Sequence, residues 1–250
     1  MLDYDIFGSG MISSYAARLP KPGEFSKALY TIDIGHNDLA YAFQNKDFLQ
    51  EYVVSKVLLN KTEEQVRATI PNIVNQFTQA LQQLYDEGAR FFWVHNPGPI
   101  GCLPLSAIPY QAMNGSLDQY GCIKYQNDIA QEFNQQLKDG VTQLKTQLPL
   151  ATFTYIDIYS AKFSLISDAK NQGFDDPLNY CCGSLFPYPV FCGSTMEVNE
   201  TVYGNPCDDP WARISWDGIH YTEAANRWVA TKIISRSLSD PPVPITNACS

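Results

Sequence analysis

The chain has only three histidines, no Cys-x-x-Cys pair and no apolar run long enough to cross a bilayer. The first two absences argue against a metal centre, because His36, His95 and His220 are scattered and no cysteine spacing matches a zinc site. The third excludes a helical membrane span. Basic residues are scarce too. Seventeen Lys and Arg against 26 Asp and Glu give a net charge of −9, whereas nucleic-acid binders present a basic face. Such acidity suits a solvated surface. Met1-Leu2-Asp3-Tyr4-Asp5 offers neither the basic nor the apolar region of a secretory leader, so no signal peptide is read there.

What is present fits one large domain: 250 residues, 45 % of them apolar, suffice for a sizeable core. Fifteen Tyr and 13 Phe suit ordinary packing first and a carbohydrate- or ester-binding cleft second. Seven cysteines stand at 102, 122, 181, 182, 192, 207 and 249, mostly in loop-like sequence. Three glycosylation sequons accompany them, at Asn60, Asn114 and Asn199. Together they point to an oxidising, secreted history. Cys102 and Cys122 could close the excursion carrying Asn114. Cys181, Cys182, Cys192 and Cys207 could form two more bridges with Cys249 left over, and spacing leaves the pairing open. An odd cysteine count and a missing leader are explained together if the chain has lost an N-terminal portion.

Residues 28–34 read as a buried strand ending at Gly35, residues 90–94 as a second and 152–158 as a third. Helices are expected over 62–88, kinked at Pro71, and over about 120–148, 160–171 and 222–237. Residues 173–214 lack periodicity and read as a stapled loop region. Strands alternating with helices give an α/β fold with a parallel sheet, whose ligands sit at the carboxyl ends of its strands.

Two motifs stand where chemistry is expected. Trp216-Asp217-Gly218-Ile219-His220-Tyr221-Thr222 puts a carboxylate and an imidazole three residues apart before the last helix. In serine hydrolases such a histidine removes the hydroxyl proton, while the carboxylate fixes its tautomer and stabilises the imidazolium. After the first strand comes Gly35-His36-Asn37-Asp38. Gly35 allows a tight turn from which the Asn37 amide could donate to an oxyanion, a contribution of about 3–4 kcal/mol in the best-studied case. The plainer reading is that Asn37 and Asp38 cap a helix or form a turn. His36 is expected to point away from Asn37 in a surface or packing role, and His95 to be structural or cleft-lining.

These blocks, with Val94-His95-Asn96-Pro97-Gly98-Pro99-Ile100-Gly101-Cys102-Leu103-Pro104 and Cys181-Cys182-Gly183, resemble the plant branch of the GDSL esterase/lipase (SGNH hydrolase) family. The resemblance covers about residues 17–250, with 1–16 unmatched. It implies a flavodoxin-like three-layer α/β/α fold and hydrolysis of carboxylic esters through a serine acyl-enzyme, without a cofactor or metal. His220 then matches the general base, Asp217 the carboxylate behind it, and Asn37, after Gly35, the oxyanion-hole residue. The substrate class is a small-molecule ester or an acylated glycan, and the location is extracellular. The family's Gly-Asp-Ser nucleophile block and its second glycine block are missing, so the chain is expected to be N-terminally truncated and impaired. The absent strand would lie beside 28–34 and leave it as an edge. Ser9, in Gly8-Ser9-Gly10, has the local shape of a nucleophile turn but lacks the aspartate, and is expected to be inert. The competing expectation is a non-catalytic protein that binds an acylated glycan or a protein partner.

Overall fold

Three short strands frame the molecule, for which a computed structural model describes residues 21–43, 62–112 and 115–248. β1 (Leu29–Asp33), β2 (Phe91–His95) and β3 (Thr152–Ile156) lie side by side in parallel, with Tyr30 opposite Phe92 and Phe92 opposite Phe153. The rings of Phe92 and Phe153 stack with centroids 4.6 Å apart. β4 (Met196–Val198) and β5 (Thr201–Tyr203) form a separate hairpin, and β6 (Ser239–Asp240) joins the main sheet antiparallel to β3. Among the described residues β1 is the opposite edge, with Thr31 and Asp33 exposed.

The strands bury both faces because successive side chains point opposite ways. Phe92, Val94, Phe153 and Tyr155 share a core with α3 (Glu63–Asp86) and α5 (Lys124–Gln147). Trp93 and Ile156 pack instead with α6 (Ile158–Ser167) and α7 (Glu223–Ile234). The remaining described helices are α1 (Pro22–Phe25), α2 (His36–Phe43) and α4 (Pro104–Ala112). The mostly parallel sheet is thus covered by helices on both sides, as expected.

Local chemistry accounts for the helix limits. A reciprocal capping box starts α3: Gln65 N–H donates to Thr62 Oγ1 at 3.2 Å, and Thr62 N–H to Gln65 Oε1 at 2.9 Å. Its buried stripe is Val66, Ile70, Val74, Phe77 and Leu81, and it continues through Pro71 as one element. α5 begins at Lys124, later than expected, because Asp118 Oδ1 accepts from the amides of Tyr120 and Cys122, both at 2.9 Å, and holds that stretch as a turn. α6 starts two residues early because Asp157 caps it through the Ser160 amide at 3.0 Å. α4 has no counterpart among the expected elements. Its first residue is Pro104 and it contains Pro109, and proline reads as a breaker although it fits a first helical turn.

The region from 173 to 214 carries two disulfides, Cys181–Cys207 and Cys182–Cys192, and a third, Cys102–Cys122, lies upstream. The β4–β5 hairpin inside it corrects the reading of that region as loop alone. Its two-residue tip, Asn199 and Glu200, has φ of 47° and 62°, as a type I′ turn requires.

Candidate active site

The segment from Ile214 to Thr222 closes on itself before α7. Trp216 N–H donates to the His220 carbonyl at 2.7 Å, and Thr222 N–H to the Ile214 carbonyl at 2.9 Å. The Thr222 hydroxyl donates to the Arg213 carbonyl at 2.6 Å and accepts from the Ala225 amide at 3.2 Å, so one residue ends the loop and caps the helix. Gly218 turns the chain with φ of +94°. Inside this turn Asp217 Oδ1 accepts from the amides of Ile219 at 2.9 Å and His220 at 2.8 Å. Its second oxygen, Oδ2, lies 2.6 Å from His220 Nδ1.

That geometry sets the tautomer. With Nδ1–H donating to the carboxylate, Nε2 keeps its lone pair and faces outward as a base. The His220 side chain is 75 % exposed and that of Asp217 23 %, so the carboxylate is sheltered and the imidazole accessible. Burial works against ionisation of Asp217. Hydrogen bonds from the His220 ring and from the His220 and Ile219 amides outweigh it and hold the carboxyl below its ordinary range.

Gly35 shapes the second element. Its φ is +109°, and a Cβ there would lie 2.6 Å from Phe133 Cζ, so only glycine lets β1 turn directly into α2. Asn37 falls in the first turn of α2, exposed, its amide without a hydrogen-bond partner among the described residues. His36, the first residue of α2, is expected from the sequence in a surface or packing role. It is half-buried, and burial, followed by the positive charge of Lys162, lowers its pKa to about 4; Asp33 opposes the shift and His220 adds to it. His36 and His220 therefore lie within electrostatic range, which brings the turn after β1 and the loop before α7 to the same end of the sheet.

A family model described as GDSL-like Lipase/Acylhydrolase matches residues 10–233. A GDSL esterase/lipase of Arabidopsis thaliana is 50 % identical over 233 residues, 93 % of this chain and 58 % of the relative. A protein of Hevea brasiliensis named esterase is 43 % identical over 243 residues, 94 % of this chain and 57 % of the relative. An Arabidopsis thaliana protein named alpha-L-fucosidase 3 is 39 % identical over 225 residues, 88 % of this chain and 57 % of the relative. The chain belongs to the GDSL-like lipase/acylhydrolase family. It spans less than three-fifths of the length of these relatives.

Around Asp217 and His220 the fold adds groups that no motif announced. Lys162, on α6, sets its Nζ 4.9 Å from the centre of the Tyr221 ring, next to His220 in sequence. Burial lowers its pKa, with Asp33 opposing. His95, at the end of β2 in register with Asp33, is half-buried, and its Nε2 has no hydrogen-bond partner among the described residues. Its pKa is lowered by burial, raised by Asp33 and lowered again by Lys162. A lysine on an amphipathic helix reads as solvated, so nothing in the sequence marks Lys162. Behind these groups Asn96 ties the loop after β2 to the loop after β3. Its amide donates to Tyr155 Oη and Asp157 Oδ1, each at 3.0 Å, and its carbonyl accepts from the Tyr159 amide at 2.9 Å.

Ser9, Asn60, Asn114 and Cys249 lie outside the described residues. Asn199 is exposed at the tip of the hairpin. Among the described residues no group of His, Cys, Asp and Glu could hold a metal ion, and no hydroxyl makes a hydrogen bond to His220 Nε2.

Proposed function

We propose that this chain serves hydrolysis of carboxylic esters by acyl transfer through a serine, with His220 as general base. The observation that carries the reading is the 2.6 Å contact between Asp217 Oδ2 and His220 Nδ1, which leaves Nε2 outward and unencumbered. In this route Nε2 takes the proton of the attacking hydroxyl and returns it to the leaving alcohol. Asp217 stays ionised and stabilises the imidazolium formed in between. Asn37 donates its amide to the oxyanion of the tetrahedral intermediate. In deacylation water takes the acyl group from the serine, giving its proton to Nε2, and the acid leaves as the serine hydroxyl is restored; the substrate is a small-molecule ester or an acylated glycan.

Hydrolysis of p-nitrophenyl acetate and butyrate by the purified chain, beside His220→Ala and Ser9→Ala, tests this. Only weak hydrolysis, in keeping with the missing nucleophile block, lost in His220→Ala and unchanged in Ser9→Ala, is the expected result. Hydrolysis that His220→Ala leaves untouched would overturn the assignment of the base. The absence of any described hydroxyl on Nε2 favours one second reading, binding of an acylated glycan or a protein partner without turnover. Saturable binding of an acetylated oligosaccharide that survives in His220→Ala, with no release of acetate, would select it.

The compartment is proposed to be extracellular and the chain glycosylated. Three disulfides among the described residues suit an oxidising environment, and Asn199 offers its side chain at an exposed hairpin tip. A mass decrease on treatment of plant-expressed protein with an N-glycosidase, smaller by one glycan in Asn199→Gln, is the expected result.

A further inference from the structure

Two peptides close to Asp217, the one just before it and the second one after it, are gripped through their carbonyls from outside the loop. Upstream, the Trp216 carbonyl accepts from the amides of Cys181 at 2.9 Å and Cys182 at 2.6 Å, and the Ser215 carbonyl accepts from Cys181 at 3.2 Å. Downstream, the Gly218 carbonyl accepts from the Leu105 amide at 3.1 Å. Each grip belongs to a segment closed by a disulfide. Cys181 is bonded to Cys207 and Cys182 to Cys192, while Leu105 lies within the stretch closed by Cys102 and Cys122. The Cys207 amide donates back to the Cys181 carbonyl at 2.6 Å, which binds the far end of the larger loop to the same point. All three bridges among the described residues therefore converge on the short loop around one carboxylate, on the peptide before it and the second peptide after it.

This convergence has a physical consequence. The direction of the Asp217 side chain is set by the planes of the peptides before and after it, because only φ and ψ lie between them. The His220 ring is mostly exposed, so packing does not hold the imidazole in place, and its orientation depends on the carboxylate. We infer that Cys181, Cys182 and the Cys102–Cys122 loop are positioning elements, which fix the peptide before Asp217 and the second peptide after it, and through them the tautomer of His220. Opening a bridge loosens the segment it closes and lets those carbonyls swing. Displacement of about 1 Å is enough to impair a catalytic contact. The inference rests on reading His220 as the base, but it concerns the ring itself and is tested without turnover.

The experiment uses the full chain with histidine ring nitrogens labelled and long-range proton–nitrogen spectra. The oxidised protein is expected to show His220 as the Nδ1–H tautomer with a downfield ring proton. The paired variants Cys182→Ala with Cys192→Ala, Cys181→Ala with Cys207→Ala, and Cys102→Ala with Cys122→Ala are expected to lose that proton and show mixed tautomers, while far-ultraviolet circular dichroism is retained. Leu137→Ala, a cavity in the core against α3, is expected to lower the melting temperature and leave His220 unchanged. A downfield proton that persists in folded cystine variants, or disappears equally in Leu137→Ala, would overturn the inference. Should a variant not fold, stepwise reduction of the intact chain with mass mapping replaces it. The His220 signal must then follow the opening of Cys182–Cys192, and survival until global unfolding would equally overturn the inference. Ester hydrolysis absent from a chain whose tautomer behaves as described would count against the proposed function alone.

Discussion

At the carboxyl end of the sheet, Asp217 and His220 meet inside one short loop, whereas the turn at Gly35 is packed directly against Phe133 of α5. The first is assembled from neighbours in sequence: Asp217 Oδ1 is held by the amides of Ile219 and His220, and Oδ2 reaches the ring of His220. The second is a tertiary fit, in which the glycine hydrogen occupies a place where a methyl group would meet Phe133 at 2.6 Å. The loop's registration comes from disulfide-closed segments and the turn's from the sheet and the helix layer. Local chemistry can thus make a dyad, but aiming it and setting a second element beside it requires the fold.

The sharpest way to break this contrast is to add the same methyl group to both glycines. Gly35→Ala combines a left-handed backbone, about 1–2 kcal/mol, with overpacking against Phe133, about 1–3 kcal/mol. A loss of about 3–4 kcal/mol in urea unfolding is expected. Gly218→Ala carries the same backbone strain, but its nearest neighbour is Leu105 Cβ at 3.3 Å. A loss of about 1–2 kcal/mol is expected there, and equal losses at the two sites would remove the distinction between a tertiary fit and a local turn.

Thr222→Ala sharpens the picture from the loop side. It deletes the cap of α7 and the hydrogen bond to the Arg213 carbonyl, and about 1–2 kcal/mol should be lost by the same measurement. The fold around β1 should remain intact, which protection of the Phe92 and Phe153 amides from hydrogen exchange would report.

The smallest effect at neutral pH belongs to His36. Its folded pKa of about 4 lies below the ordinary 6.5, so between these values the unfolded chain takes up a proton that the folded chain refuses. Its contribution is complete above 6.5 and falls as the pH drops toward 4. Asp217, also depressed, acts in the same direction further down, its contribution lost as the pH falls through its lowered value. In His36→Gln the loss of stability between about pH 6.5 and 4 should be shallower than in the parent protein, with little difference at pH 7. Identical slopes would mean that His36 is not buried against Lys162 and His220.

Much of the architecture was legible because it repeats in sequence. The apolar stripes of α3 and α5 follow the helical period, and Thr62 with Gln65 marks the start of α3 as a capping box. β6 was not legible: two residues, Ser239 and Asp240, have no pattern of their own and are a strand only because β3 pairs with them. The β4–β5 hairpin escaped for a related reason. Its three-residue strands are largely exposed and show no alternation between buried and solvated positions.

The site divides the same way. Asp217-x-x-His220 and Gly35-x-Asn37 could be found by spacing, since their chemistry resides in adjacent residues. The sequence by itself thus determined the dyad, the glycine turn, the alternation of strands and helices, and the membership of a family. Only the tertiary structure decided that His36 faces Lys162 and His220, that Lys162 lies over Tyr221, and which cysteines pair. It also decided that the amides of Cys181, Cys182 and Leu105 converge on the carbonyls beside Asp217. Those are contacts between segments far apart along the chain. They depend on how layers pack and where closed loops return, which no local periodicity encodes.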